Sequence, residues 1–265
     1  MSTAPAPTTA DYLHCHVEAS IAQLTLDRPG ERNALSREMM LAVTAELERL
    51  GEREDVRVVV LRGEGSVFSA GHHLRQLVDI PLDEQREIFD VCTRMMDTVQ
   101  RIPQPVIAAV HGPALAAGCQ LVATCDLAVA AERAVFGTPG VKIGLFCSTP
   151  MVALSRNIGR KRAMQMLLTG ETIDAATAAD WGLANSAVPD AELDDHVQAL
   201  AEKVAGASPL TVRTGKQAFY RQIDLPQDAA YEEMGETMAR NAVTHDAQEG
   251  MTAFLDKRAP VWRGE

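Results

Sequence analysis

The chain predicts an α/β protein that ends in a helical region, on three observations. Strand-like apolar runs alternate with helix-like periodicity as far as about residue 190. Those runs are rich in β-branched residues, as buried strands are. Beyond residue 190 only helical spacing remains. Residues 1–11 read as a mobile tail, 12–190 as the α/β core, and 191–265 as a helical region packed on that core or on another subunit.

Taken in order, Ala22-Gln23-Leu24-Thr25-Leu26 alternates apolar and polar side chains before the turn residues Arg28-Pro29-Gly30, which predicts a half-buried strand. Ser36 can cap a helix whose apolar positions Met40, Val43, Leu47 and Leu50 step by three and four, with Gly51 as its stop. Val56 to Leu61 is a β-branched strand. A second helix follows Pro81-Leu82-Asp83, with Ile88, Cys92, Met95, Val99 and Ile102 on one face, and Pro105 to Val110 returns to strand. Near the end, Leu193, Val197, Leu200 and Val204 keep helical spacing, and Ser208-Pro209 is a cap with proline at the first helical position.

Composition narrows the partners. The 265 residues carry 25 Lys+Arg against 36 Asp+Glu, a net charge of -11, so the long-range field repels phosphate backbones and nucleic acid is not an expected partner. The longest apolar run, Pro105 to Cys119, is broken by His111, Gly112 and Pro113, short of the roughly 20 residues of a membrane span. No membrane contact is expected. Five cysteines, Cys15, Cys92, Cys119, Cys125 and Cys147, form no C-x-x-C pair, which argues against a disulfide framework or zinc and for a reducing, cytoplasmic setting. His14-Cys15-His16 puts two imidazoles on one strand face without a third ligand nearby, so no metal site is expected.

Two segments share a strand, small-residue turn, helix design: Val67 to Leu74 through Ser69-Ala70-Gly71, and Val110 to Gln120 through Ala116-Ala117-Gly118. Small side chains let a ligand approach the backbone, and the first N–H groups of a helix are unpaired at the positive end of its dipole. Facing each other, two such turns form an oxyanion hole; singly, each also serves close helix packing. His72 and His73 are adjacent, so on a helix they point about 100° apart and only one can line a pocket. Cys147 precedes Ser148-Thr149-Pro150 at a helix start, where a thiol's pKa can fall. Asp126 reads as a buried, hydrogen-bonded carboxylate at a helix-to-strand junction.

Arg28-Pro29, Asn33-Ala34-Leu35, Phe68-Ser69-Ala70-Gly71, Gly118-Cys119 and Cys125-Asp126 resemble, in order and spacing, the enoyl-CoA hydratase/isomerase (crotonase) family, as does the ending Gly250 to Arg258. The likeness covers roughly residues 12 to 265. It implies a spiral of β-β-α units with a C-terminal trimerisation region, a homotrimer or dimer of trimers, and an acyl-CoA thioester as partner. Coenzyme A then enters as part of the substrate, with no separate cofactor. Matched residue by residue, the oxyanion donors are the backbone N–H groups of His72 and Ala117; Ala70, Gly118 and Gly140 line the substrate; and Phe254 and Lys257, three apart on one helical face, reach the coenzyme of a neighbouring subunit.

The same matching exposes a departure. The family's hydratases use two glutamates, and here Gln120 and Gly140 stand at those positions, while His73 replaces a usual aspartate. A glutamine amide takes no proton near neutral pH and glycine has no side chain, so the carboxylate pair for hydration is missing. Within the family, Ala-Ala-Gly-Cys-Gln and Thr-Pro-Gly-Val mark a subgroup with the same replacements. The expectation is an acyl-CoA-processing protein with its oxyanion hole kept and little or no hydration, in which His73, Gln120 and Cys147 are the side chains available for chemistry. The alternative is a non-catalytic acyl-CoA-binding or regulatory protein. Glutamate restored at both positions is expected to return some hydration.

Overall fold

A computed structural model of the protein describes residues 12–265, so the expected tail at 1–11 lies outside the described residues. The chain opens with a hairpin, β1 (Leu13–Glu18) and β2 (Ile21–Leu26), turned by Ala19 and Ser20 at φ 47° and 67°, the pair of positive values a tight hairpin needs. Helix α1 (Arg37–Gly51) begins where the sequence places its cap: the Ser36 hydroxyl accepts from Met39 N at 3.1 Å. Gly51 is the helix's last residue, and Glu52 is the cap. Strand β3 runs from Val58 to Gly63, two residues later than the apolar run begins, and α2 (Leu82–Arg101) buries the expected face of Ile88, Cys92, Met95 and Val99. Then come β4 (Val106–Val110), β5 (Ala114–Leu115), α3 (Ala117–Thr124), β6 (Leu127–Ala131) and β7 (Val135–Gly137). Next are α4 (Ser148–Asn157), α5 (Arg160–Thr169), β8 (Thr172–Asp174), α6 (Ala175–Trp181) and β9 (Ser186–Val188). Four helices end the chain: α7 (Leu193–Ala205), α8 (Pro209–Gln222), α9 (Gln227–Ala242) and α10 (His245–Leu255).

The main sheet has the order β1-β2-β3-β4-β6-β9, parallel except for the β1–β2 pair. Side chains alternate between its faces. Val59 and Leu61 of β3 join Val106 and Ala108 of β4 in the large core under α1 and α2, while Val58, Val60, Ile107 and Ala109 face the other way. That second face is covered by Leu193, Val197, Ala201 and Ala205 of α7. The first helix of the expected helical region is therefore a layer of the α/β core. A second, three-stranded sheet, β5-β7-β8, stands beside the first.

Helix α8 is bolted to the core. The buried Lys216 ammonium donates to Val99 O and Gln104 O and lies 2.8 Å from Asp126 Oδ2; Asp126 also accepts from Val106 N at 2.7 Å and from the Tyr220 hydroxyl at 2.8 Å. Asp126 thus has the structural role read from its position. Helix α9 buries no residue, and Tyr231, Met238, Val243, Phe254 and Leu255 are all more than two-thirds exposed. Among the described residues, no helix is long and apolar enough to cross a membrane. His14 pairs with Asp27 at 2.5 Å, and no cluster of metal ligands occurs among the described residues.

Candidate functional site

Backbone pairing assembles the site from three segments. Asn33, buried at φ 50°, uses its side chain as a clamp: Oδ1 accepts from Arg28 N, and Nδ2 donates to Glu64 O and Val67 O. The segment from 32 to 35 then pairs with 70 to 73 through Ala70 N to Arg32 O, Leu35 N to Gly71 O and His73 N to Leu35 O. On its other side the same segment joins 113 to 115, with Ser69 N donating to Pro113 O and Leu115 N to Ser69 O. The Ser69 hydroxyl adds a bond to Asn33 O at 2.8 Å.

Gly71 is where the two small-residue turns meet. At φ 89° it occupies a conformation side-chain-bearing residues avoid, and a Cβ there would stand 2.8 Å from Ala116 Cβ and 3.0 Å from Ala117 N. Ala116 is held by Ala116 N to Gly137 O and adopts φ 49°, ψ -118°, a strained value for alanine, which aims the start of α3 inward. Neither His72 N nor Ala117 N meets a protein acceptor among the described residues, and both residues line one cavity of about 960 Å³. Two backbone donors without protein partners, on residues lining one cavity, can bind a developing oxyanion.

The two turns differ from the sequence reading in one respect. Only the second opens an α-helix; after His73 the chain makes a single 3-10 turn, Leu74–Gln76. His72 therefore gains no helix dipole, and its unpaired N–H comes from bridging Leu35 at a sheet-like contact. The two histidines are not on a helix, so their side chains are not held about 100° apart, and both His72 and His73 line the cavity.

Of the other expected residues, Ala70, Gly140 and Cys147 line the cavity too. Gln120, Gly118, Phe254 and Lys257 do not. Gly118 is buried behind the wall, where a Cβ would sit 2.8 Å from Ser69 Cβ, so its small size serves packing of α3 on the Ser69 turn. Gln120 is 5% exposed, and its Oε1 has no partner. Lys257 is off the helix: α10 ends at Leu255, and Lys257 follows the Asp256 cap at φ 56°, so it does not share a helical face with Phe254.

Cys147 and Gly140 bear on the expectation that two carboxylate positions are replaced. Cys147 is the residue before α4, yet burial pushes its thiol's pKa up, against a smaller opposing effect of the Gly140 backbone. The expected lowering does not occur. A Cβ on Gly140 would collide with the Leu145 carbonyl oxygen and approach Cys147 Sγ to 2.8 Å. The Leu145 N to Gly140 O bond, 3.0 Å, closes this loop. A glutamate at 140 therefore has no room, and the expected return of hydration is withdrawn on steric grounds.

Several lining residues escaped the sequence reading. Arg32, Arg75 and Lys142 bring positive charge to the cavity of an acidic chain, and among the described residues none has an acid partner. Glu31 also lines it, paired with Arg28 at 3.0 Å. Phe89, off the main apolar face of α2, meets the His72 ring edge-on with centroids 5.3 Å apart. Isolated surface charges and one off-face phenylalanine carry no periodic signal, so only the fold collects them. Burial drives the His72 imidazole down to about 4, while the nearby Leu35 backbone, outside hydrogen-bond geometry, pulls weakly the other way.

Comparison with known proteins points the same way. The family model described as Enoyl-CoA hydratase/isomerase matches residues 16–265. The chain is 44% identical to Enoyl-CoA hydratase domain-containing protein 3, mitochondrial, of Homo sapiens, over 98% of this chain and 85% of that protein. The crystal structure of that human protein has a TM-score of 0.92 at 42% identity, covering 94% of this chain and 99% of that one. An enoyl-CoA hydratase structure from Mycobacterium smegmatis has a TM-score of 0.93 at 47% identity, covering 95% and 98%.

Proposed function

Because the chain belongs to the enoyl-CoA hydratase/isomerase family and has its crotonase fold, we propose that it binds acyl-CoA thioesters and processes them through an oxyanion held by His72 N–H and Ala117 N–H. The observation that carries this reading is the pair of unpartnered donors in one cavity. Two preorganised N–H groups stabilise an enolate or tetrahedral anion more than the neutral thioester, and that difference is what accelerates a reaction. The free cations Arg32, Arg75 and Lys142 give the coenzyme's phosphates a counter-charge.

Hydration itself is proposed to be weak or absent. Each general acid or base group contributes about 10²- to 10⁴-fold, and both glutamate positions lack one. A reaction using the same anion without that pair, such as thioester hydrolysis or decarboxylation, fits the site better. The second reading, acyl-CoA binding without turnover, is favoured by one fact: Glu31, the single carboxylate lining the cavity among the described residues, is tied to Arg28. Assembly as a trimer or dimer of trimers fits the exposed apolar side chains of α9 and α10. A reducing, cytoplasmic setting fits the five free thiols; the human relative's name places that protein in mitochondria.

Calorimetry with butyryl-CoA, followed by loss of enoyl absorbance with crotonyl-CoA, tests the reading. Binding with little hydration is expected. No binding overturns the site, and a kcat on the order of 10 s⁻¹, that of an ordinary enzyme, overturns the inference about the missing carboxylates.

A further inference from the structure

A general base must hold a free lone pair where a ligand can reach it, and few residues of the cavity do. Glu31, the single carboxylate lining the cavity among the described residues, is tied to Arg28 at 3.0 Å. Burial pushes the Cys147 thiol up, and Arg32, Arg75 and Lys142 are cations. The His72 ring has both nitrogens shut in without a partner, and burial drives it down to about 4. His73 differs from all of these. Its Nδ1 is shut in, but its Nε2 stays open to solvent and has no protein partner among the described residues. The backbone fixes the residue, with His73 N donating to Leu35 O at 3.3 Å and His73 O accepting from Gln76 N at 2.9 Å. It lines the same cavity and directly follows His72, one of the two proposed oxyanion donors, with consecutive Cα atoms about 3.8 Å apart.

Resting on the proposed thioester site, we propose that His73 is the general base of this cavity and that the reaction it serves is hydrolysis of an acyl-CoA thioester. With Nδ1 closed off, the ring exchanges protons with a ligand only through Nε2, the nitrogen that water can reach. In the first step Nε2 takes a proton from water while the water oxygen bonds to the thioester carbonyl carbon, and the carbonyl oxygen becomes the anion held by His72 N–H and Ala117 N–H. In the second step the C–S bond breaks, its electron pair leaves on sulfur, and Nε2 returns the proton to the thiolate. The products are the carboxylic acid and coenzyme A, with no oxidant or reductant needed. Hydration of an enoyl group would need one group to activate water and another to protonate carbon, and the cavity offers a single open base. Hydrolysis runs on one group that takes a proton and gives it back.

The test follows release of coenzyme A from butyryl-CoA by the full-length protein, with calorimetric binding of butyryl-CoA measured in parallel. Wild type is expected to hydrolyse the thioester. His73→Ala is expected to lower kcat/KM by about 10²- to 10⁴-fold, the contribution of one general base, while the affinity for butyryl-CoA stays within about threefold of wild type. Imidazole added to the buffer is expected to restore His73→Ala at least about tenfold, since it supplies the lost base in the space the side chain vacates. His73→Gln, which keeps the size and polarity of the ring without a basic nitrogen, is expected to be as inactive as His73→Ala. Hydrolysis that survives in either variant, a loss matched by an equal loss of affinity, or a loss that imidazole does not relieve in folded His73→Ala overturns the role of His73. Binding of butyryl-CoA by wild type without hydrolysis overturns this inference and leaves the thioester site standing, whereas failure to bind overturns both. Should His73→Ala fail to fold, His73→Gln and the wild-type rate decide the question.

Discussion

A side chain on Gly140 would run into the carbonyl oxygen of Leu145, the residue whose N–H closes the loop back onto Gly140 O at 3.0 Å. The space a side chain at position 140 would use is filled by backbone. Gln120→Glu with Gly140→Glu is therefore expected to give no gain in crotonyl-CoA hydration and to destabilise the fold by about 2–3 kcal/mol, the usual scale of overpacking. Absorbance assays and melting of the double variant check both; recovery of hydration in a protein that melts like the parent would show that the loop yields.

Removing the Ala117 N–H, the second of the two proposed oxyanion donors, is the direct test of the site. Ala117 is the first residue of α3, where proline's φ is tolerated, and Ala117→Pro is expected to lower any thioester turnover by about 10²- to 10³-fold. The control is Ala116→Gly, which relieves the φ 49° strain and keeps the donor, so turnover should survive there. Equal turnover in parent and a well-folded Ala117→Pro variant removes Ala117 from the site.

The Lys216–Asp126 pair should behave as a buried ion pair does when one partner is lost. Asp126→Asn leaves an ammonium without its counter-charge, and burial already lowers the Lys216 pKa. A loss of about 3–5 kcal/mol in denaturant unfolding is expected, and Lys216→Met, which strands the Asp126 carboxylate and leaves Val99 O and Gln104 O without their donor, is expected to lose at least as much. Little loss in either variant would mean that the pair does not hold α8 to the core.

His72 also makes stability depend on pH. Its folded pKa, about 4, lies below the 6.5 of an unperturbed histidine, so the unfolded chain binds a proton that the folded chain refuses. The penalty is absent above about pH 6.5, grows as pH falls, and is complete below about pH 4 at roughly 3 kcal/mol. The difference in unfolding free energy between His72→Phe and wild type should widen across that window. A constant difference would show that the ring is hydrated in the folded state.

The C-terminal helices supply the test of assembly. Phe254 is 82% exposed and Lys257 does not line the cavity of its own chain, so contact with coenzyme A requires a neighbouring copy. Sedimentation at micromolar concentration is expected to show a trimer or its dimer. Lys257→Ala should weaken coenzyme A binding about tenfold, the loss of one charge-assisted contact. Point substitution is preferable to truncation after Ala247, because the buried Asp246 carboxylate takes the N–H groups of Arg263 and Gly264. A monomer, or unchanged affinity in the variant, removes this subunit contact.

Much of the molecule is legible in the amino acids alone. Strand β4, the Ser36 cap, the buried stripe of α2 and the Ser208-Pro209 start of α8 follow from periodicity and local backbone chemistry, which act over a few residues. That positions 120 and 140 carry glutamine and glycine, neither of which can serve as a carboxylate, is likewise a matter of residue identity and needs no coordinates. Tertiary structure decided what depends on residues far apart in the chain. It set His72 on a bridge to Leu35 instead of a helix, raised the Cys147 pKa by burial, and took Lys257 off the helix of Phe254. It also turned α7 onto the sheet and filled the space beside Gly140 with the Leu145 carbonyl. Desolvation and steric exclusion are properties of the packed chain: no local pattern encodes which carbonyl will stand against a glycine or whether a ring's nitrogens will find partners.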